Sequence, residues 1–318
     1  MPEAPGPAGT RLEILMATRN GERYVAEQIT SILGQTHGDW TLTVRDDCST
    51  DGTVGIVTDL AREHPGRITV LRRATPSGSA ARSFLEMVAA STADYVMLCD
   101  QDDVWEPDKI AVTLAEMRRL ESRAGSPAPL LVHTDLTVTD ENLRVVAASM
   151  TRAQQLDGAE SRLSRLVVQN MVTGCTVMVN RPLLDLVREP FDGIVMHDWW
   201  LALIASALGE IGFVEAPTVR YRQHEENVVG ARPSRGLGYK VNRLLDGEGV
   251  RRSLNDAYPQ ARAFLDHYAD RLTADQVAAL GAFVSLPTLG KVGRLRALRR
   301  YGLWKNTAAR RLGQILFV

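Results

Sequence analysis

The chain has only three cysteines, Cys48, Cys99 and Cys175, which lie far apart and form no CxxC pair. Such spacing builds neither a disulfide framework nor a cysteine-ligated zinc site. No run of 18 or more apolar residues occurs, so no membrane-spanning helix is expected. The first residues lack the apolar stretch of a secretory signal, and a reducing, cytoplasmic setting is the natural expectation. Several catalytic signatures are also missing: no GxGxxG after a strand, no GxxxxGK[ST], no HExxH and no GxSxG. That weighs against a dehydrogenase, a P-loop NTPase, a zinc peptidase and an α/β-hydrolase. Charge of neither sign prevails: 37 Lys and Arg face 38 Asp and Glu, for a net charge of −1. The whole-chain charge therefore supplies no argument for nucleic acid, which is not expected as a partner.

What is present is globular. At 318 residues and 45% hydrophobic, the chain can bury a large α/β domain with an appendage, or two modest domains. The opening ten residues, MPEAPGPAGT, read as a disordered leader. Beyond them strand and helix patterns alternate. Strands are expected at Leu12–Thr18, Trp40–Val44, Ile68–Leu71 and Tyr95–Cys99, and helices at Glu22–Leu33, Thr53–Glu63, Ala80–Ala90 and after Pro107. This alternation predicts a mostly parallel sheet with helices on both faces. Ligands of such sheets sit outside the carboxyl ends of the strands. Those ends carry Thr18-Arg19-Asn20, Asp46-Asp47, Arg72-Arg73 and Asp100-Gln101-Asp102-Asp103. After Pro129 the pattern is mixed: Leu130–Thr134, then Val167–Val179 broken at Gly174, a helix over Asp198–Leu208 and a strand at Ile211–Val214. From about Ser234 onward helices are expected, with Pro259 and Pro287 as breaks.

Four clusters can carry chemistry. Asp100-Gln101-Asp102-Asp103 directly follows a wholly apolar strand, which sets three carboxylates at the rim of the ligand crevice. A DxD arises about once by chance in a chain this long, and acidic loops are usually just solvated; the strand context points to Mg²⁺ or Mn²⁺. Asp46-Asp47-Cys48-Ser49-Thr50-Asp51-Gly52 reads as a capped turn, yet two adjacent acids at a strand end also suit a pyrimidine N–H or a ribose hydroxyl. In Met196-His197-Asp198-Trp199-Trp200 the acid is either a helix cap or a base in a low-dielectric setting. The two tryptophans are either core or a platform for a sugar ring. Tyr221-Arg222-Gln223-His224 places a histidine on a polar loop, structural or facing a diphosphate or metal.

Together these stretches resemble the family 2 glycosyltransferases of the GT-A fold, in particular bacterial rhamnosyltransferase-like members that build cell-surface polysaccharide such as O-antigen. The matching text is MATRNGERYVAEQITSILGQTHGDWTLTVRDDCSTDGT, DYVMLCDQDDVWEPDKI, NMVTGCTVMVN, MHDWWLALIA and YRQHEENVVGA, spread in order over about residues 12 to 232. The resemblance implies a catalytic domain over 11–232, with a donor half to about 130 and an acceptor half after it, and a helical basic region over 233–318. It implies that Thr18, Asn20, Glu22, Asp46, Asp47, Arg82, Asp100, Gln101 and Asp102 line a nucleotide-sugar site. Asp102 and His224 would hold Mg²⁺ or Mn²⁺, and Asp198 would be the general base. Gly174, His197, Trp199, Trp200 and Arg222 would contact acceptor or sugar. The family's Glu-Asp pair is here His197-Asp198, and the Asn-rich stretch of many members is here Ser77-Gly78-Ser79-Ala80-Ala81-Arg82. The expected reaction is metal-dependent inverting transfer to a glycan acceptor, lipid-linked in many members. The donor is dTDP-rhamnose, or in the alternative a UDP-hexose. A non-catalytic nucleotide-sugar-binding paralogue and a Mg²⁺-dependent nucleotidyltransferase are the readings of other classes. Intact Asp100, Asp102 and Asp198 weigh against the first, and a first loop poor in Gly and Lys against the second.

The end of the chain is basic. Lys291, Arg294, Arg296, Arg299, Arg300, Lys305, Arg310 and Arg311 appear with no acid among them, interleaved with Leu295, Leu298, Tyr301, Leu303, Trp304 and Leu312. Three readings stay open: a helical face that is solvated or packed on the catalytic domain, an interfacial segment drawn peripherally to an anionic membrane surface, and a contact with nucleic acid.

Overall fold

A computed structural model describes residues 11–125, 127–187, 193–224 and 247–317, the last of these with side chains from 254 to 316. The expected leader, Glu225–Asn227 of the fourth cluster and the first part of the C-terminal helical region lie outside the described residues.

The expected alternation is present as β1 (Leu12–Thr18), α1 (Val25–Leu33), β2 (Thr41–Asp46), α2 (Thr53–Glu63), β3 (Ile68–Arg72), α3 (Ala80–Ala90), β4 (Tyr95–Cys99), β5 (Val104–Trp105) and α4 (Lys109–Ala124). The second half adds β6 (Leu130–Thr139), β7 (Val145–Ala147), β8 (Met178–Asn180), α5 (His197–Leu208) and β9 (Glu210–Arg222). Strands follow the order β3-β2-β1-β4-β8-β6-β9-β5, with β7 paired to β6. The first four are mutually parallel, β8 runs antiparallel between β4 and β6, and β9 lies parallel to β6. This mixed α/β arrangement, parallel over β3-β2-β1-β4, matches the architecture that the resemblance implies.

Alternation along β1 explains the two cores. Ile14 and Met16 face one side, with α1, α2 and α4; Leu15 faces the other, with α3, α5 and the C-terminal helices. Three expectations are corrected. Helix α1 begins at Val25 rather than Glu22, because Tyr24 and Val25 donate their N–H groups back to the Gly21 carbonyl and close a turn first. The apolar stretch 167–179 is mostly buried loop and a short 3₁₀ turn, with only Met178–Asn180 as strand. Pro259 does not break its helix, which runs through it from Gly247 to Tyr268. Ala257, Gln260, Ala261 and Phe264 are buried there, and that packing offsets the one backbone hydrogen bond a proline removes.

The basic C-terminal helices, Lys291–Tyr301 and Ala308–Phe317, are docked. Leu298 and Leu303 are fully buried, Arg165 donates to the Lys305 carbonyl and Arg310 to that of Gln154. Val292, Leu312 and Leu316 remain exposed on these same helices. Among the described residues no helix is long and apolar enough to cross a membrane.

Candidate active site

Three loops at the carboxyl ends of β1, β2 and β4 are stitched into one wall. Thr18 Oγ1 donates to Asp46 Oδ1 at 3.2 Å, and the Ser49 amide to Asp46 Oδ2 at 2.9 Å. Asn20, in the left-handed region at φ 50°, accepts the Thr50 amide on Oδ1 at 2.9 Å. Glu22 accepts the Gly52 amide at 2.6 Å. Asp47 accepts the Ser77 amide and hydroxyl at 2.7 and 2.8 Å. Gln101 pairs through both ends of its amide with the backbone of Arg19, at 2.9 and 3.0 Å, so it serves to join two loops rather than to present a free amide to ligand. A Cβ at Gly21 would fall 2.3 Å from Gln101 Oε1, which is why that close approach needs glycine.

The acidic turn after β4 gathers charge. Asp100 is pushed up to about 7, first by burial and then by Asp102 and Asp198. Asp103 is fully buried and lies well above the carboxylate range, from burial and then from Asp102 and Asp100. His224 Nε2 stands 2.7 Å from Asp102 Oδ2. Carboxylates that raise one another are a setting a divalent cation relieves. The Asp102 carboxylate with the His224 imidazole is an O/N donor pair of the kind Mn²⁺ accepts. A second grouping, Asp100, Asp103 and Cys175, has its donor atoms within 4.8 Å of one another. Burial pushes the Cys175 thiol well up, so it stays protonated and is a poor partner for a hard cation.

Asp198, in the first turn of α5, is buried and held by donors: the Trp199 amide at 2.6 Å, Asn170 Nδ2 at 3.2 Å and the backbone of Gly174. Burial outweighs these bonds and lifts its pKa to about 6. It is close enough to Asp100 to contribute to that group's rise. The topology thus brings Asp100 and Asp102 together with Asp198 from α5 and with His224, which lies 122 residues beyond Asp102. Arg82 is half-exposed on α3 and pairs with Glu86 at 3.2 Å, which also pairs with Arg73 and Arg45.

Four residues expected to touch acceptor or sugar are buried and engaged within the fold. Trp200 is buried edge-on against Phe264 with ring centroids 5.4 Å apart, and Trp199 donates its indole N–H to the Leu166 carbonyl at 2.6 Å. Both face the core, because α5 is buried along both sides of its first turns. Arg222 is also buried, donating to the carbonyls of Asp102 and Glu141 and to the Glu27 carboxylate, while its amide N–H meets Asp103 Oδ1 at 3.0 Å. It clamps the acidic turn. His197 stacks on Phe84 at 4.3 Å, and burial pushes its pKa down to about 3, so the ring is neutral. Gly174 lies against it: a Cβ there would meet His197 Nε2 at 2.8 Å and Asp198 Cβ at 3.6 Å. Glycine allows the loop to reach the base. Asn170, missed at the level of sequence, opens the NMVTGC stretch but has no signature that separates it from any loop asparagine.

The comparisons with known proteins agree with this fold. Residues 13–155 match the model of the family described as "Glycosyl transferase family 2". The dTDP-rhamnosyl transferase RfbG of Shigella flexneri is 28% identical over 251 residues, 75% of this chain and 82% of that protein. An Escherichia coli relative, the UDP-Glc:alpha-D-GlcNAc-diphosphoundecaprenol beta-1,3-glucosyltransferase WfgD, is 23% identical over 61% of this chain and 69% of its own. Among solved structures, S. aureus TarS 1-349 in complex with UDP-GlcNAc superposes with a TM-score of 0.55 at 14% identity, covering 92% of this chain and 93% of that one. GalNAc-T7 with UDP, GalNAc and Mn²⁺ gives 0.52 at 11% identity over 93% of this chain and 55% of that one. At these identities the structural likeness shows the fold.

Proposed function

Because residues 13–155 match the family 2 glycosyltransferase model and the fold is GT-A, we propose that this chain is an inverting, metal-dependent glycosyltransferase. It moves L-rhamnose from dTDP-rhamnose to a hydroxyl of a growing bacterial polysaccharide. The observation that carries the reading is Asp198: an oriented carboxyl with a pKa near 6, on the same edge as the Asp100–Asp102–His224 group. In this reading Thr18, Asn20, Glu22, Asp46 and Asp47 line the nucleotide side, Asp100 faces the ribose, and Arg82 approaches the phosphates from α3.

Asp198 takes the proton of the acceptor hydroxyl as that oxygen attacks the anomeric carbon. The nucleoside diphosphate leaves from the opposite face, so configuration inverts through an oxocarbenium-like transition state. Asp102 and His224 would hold a divalent cation, which when bound would supply charge neutralisation for the departing diphosphate. Asn170, Trp199 and Gly174 keep the carboxylate aimed, and the neutral ring of His197 adds no second negative charge beside it. The acceptor is lipid-linked, and the exposed Val292, Leu312 and Leu316 among the C-terminal arginines meet the inner membrane surface at the periphery.

The S. flexneri relative supports the rhamnosyl donor, and the E. coli one the alternative, a UDP-hexose. Calorimetric titration of dTDP and UDP, with and without Mn²⁺, on wild type and Asp102→Ala decides. Metal-dependent binding lost in the variant is the expected result, with dTDP tighter than UDP. Tighter UDP moves the assignment to the UDP-hexose, and no binding of either nucleotide overturns the donor site in favour of a non-catalytic binding module.

A further inference from the structure

The stretch from Leu163 to Asn170 carries the asparagine that donates to Asp198, and it is held from two sides. It opens with a short helix, Leu163–Leu166, and the amides that follow fold back on it. Val167 donates to the Leu163 carbonyl at 2.9 Å, and Val168 and Gln169 both donate to that of Arg165 at 3.1 Å. Leu166, Val167 and Val168 are buried, which makes the stretch one stiff piece. Helix α5 grips its inner side. Trp199 donates its indole N–H to the Leu166 carbonyl, and Asn170 Nδ2 donates to Asp198 Oδ1. Asn170 Oδ1 is taken by the Val172 amide at 3.0 Å, which fixes the orientation of the side-chain amide.

The far end of the chain grips the other side. Gln169 Oε1 accepts the Asn306 amide at 3.2 Å. Buried Arg165, paired with Glu160 at 3.4 Å, donates to the Lys305 carbonyl at 3.1 Å. Asn306 Nδ2 donates to the Gln155 carbonyl at 2.9 Å, at a residue in the left-handed region with φ 54°. Such a backbone is unfavourable for glutamine and persists where its surroundings hold it. The tail loop is shaped in turn by Gln314 of the last helix, which is fully buried. Gln314 Oε1 accepts the Lys305 amide at 3.0 Å, and its Nε2 donates to the Leu303 carbonyl at 2.9 Å. A buried glutamine whose amide is satisfied at both ends by one loop fixes that loop. A tail that only covered apolar surface would need Leu298 and Leu303 and none of these polar contacts.

We propose that the segment 303–314 is a strut for the general base: Gln314 shapes the tail loop, Gln169 receives its Asn306 amide, and the stretch so held keeps Asn170 on Asp198. Gln169 and Gln314 are positioning residues, acting through Asn170 rather than on substrate. This rests on the reading of Asp198 as the general base.

The test compares Gln169→Met, Gln314→Met, Asn170→Ala and each methionine variant combined with Asn170→Ala, all in the full chain. Glutamine to methionine keeps the length of the side chain, removes the amide and alters no charge, so Asp100 and every other charge near Asp198 stay in place. kcat/KM is measured with Mn²⁺ at pH 6 and pH 8.5 for turnover of dTDP-rhamnose by water, or of UDP-glucose should UDP be the tighter nucleotide. Loosening the Asn170 bond handicaps the base only where it is partly protonated. Each methionine variant should therefore lose about two- to fivefold at pH 6, nothing at pH 8.5, and nothing further where Asn170 is already alanine. Gln314→Met should also lower the melting temperature by on the order of 5 °C. Val57→Ala, in the core on the other face of the sheet, should lower it comparably with no change in the ratio of the two rates. Equal losses at both pH values, losses that multiply with that of Asn170→Ala, or no loss in Gln169→Met overturn the strut. Should Gln314→Met fail to fold, Gln169→Met decides alone. Asp198→Asn separates the premise from the inference: if it keeps wild-type turnover at both pH values, the base reading falls and the strut with it. If it abolishes turnover while Gln169→Met stays at the wild-type ratio, the base stands and only the strut falls.

Discussion

Replacing Asn170 with alanine should move the acid limb of the pH–rate profile upward without touching the donor side. Asn170 Nδ2 donates to Asp198 Oδ1 at 3.2 Å, and Asp198 titrates near 6 because burial outweighs three such donors. A hydrogen bond to a charged group contributes about 1.5–3 kcal/mol. The 3.2 Å separation places this one at the weak end, and about 1.4 kcal/mol corresponds to one pKa unit. In Asn170→Ala the base then titrates near 7. At pH 6 the ionised fraction falls from about one half to about one in eleven, a roughly fivefold loss of kcat/KM, whereas above about pH 8.5 the two enzymes converge. The assay is kcat/KM from pH 5 to 9 at saturating Mn²⁺, with Asp198→Asn as the control that abolishes the limb. Asp100, near 7, is not bonded to Asn170 and its own contribution stays in place. An acid limb that does not move, or moves down, refutes Asp198 as the titrating base held by Asn170.

Further outcomes follow from the same geometry. Gly174→Ala puts a methyl 2.8 Å from His197 Nε2; kcat should fall roughly ten- to a hundredfold with the far-ultraviolet circular dichroism unchanged, and His197→Ala added on top should restore part of it. Trp200→Phe should leave the acceptor KM unchanged, whereas Trp200→Ala should cost about 3–5 kcal/mol of stability; an acceptor KM that rises in the phenylalanine variant would return Trp200 to the sugar site. Asp100 and Asp198 hold pKa values near 7 and 6, above the ordinary 3.8, so these two carboxyls stabilise the metal-free fold as pH falls from about 8 to about 5, whereas buried His133 and His197, pushed down to about 4 and 3, destabilise it over the same range. Asp198→Asn removes one of the stabilising contributions, so its metal-free stability in chemical denaturation should fall relative to wild type as pH drops from about 8 to about 5, and an unchanged pH dependence would contradict the assignment.

The first half of the fold was legible because each of its elements has a local cause. Periodicity switches from 2 to 3.6 between β1 and α1 and again between β2 and α2, and Ser79 caps α3 by accepting the Arg82 amide. The acidic turn was legible for the same reason, since the fully apolar β4 ends directly before it. The rest depends on distant partners. Trp200 and Arg222 have side chains that suit a ligand as well as a core, and only tertiary contacts with Phe264 in one case and Glu27 in the other decide between the two. Met178–Asn180 was obscured because a three-residue strand buried on both faces has no alternation to read. Pro259 misled because a residue that breaks an isolated helix is held by packing in this one.

Arg222 and His224 complete a turn that the ribosome made long before. His224 is 122 residues downstream of Asp102, which at about 5–20 residues per second is roughly 6–24 s of synthesis. During that interval the nascent chain carries three neighbouring aspartates with no imidazole beside them and no guanidinium beneath. The sheet is open too, since β8 separates β4 from β6 and had not emerged when either of them did. A chain ending at residue 155 would span the whole family-matched segment yet retain that open edge, without Asp198, Arg222 and His224. The groups proposed to act thus come together late, once β9 has joined the sheet and carried Arg222 to the acidic turn.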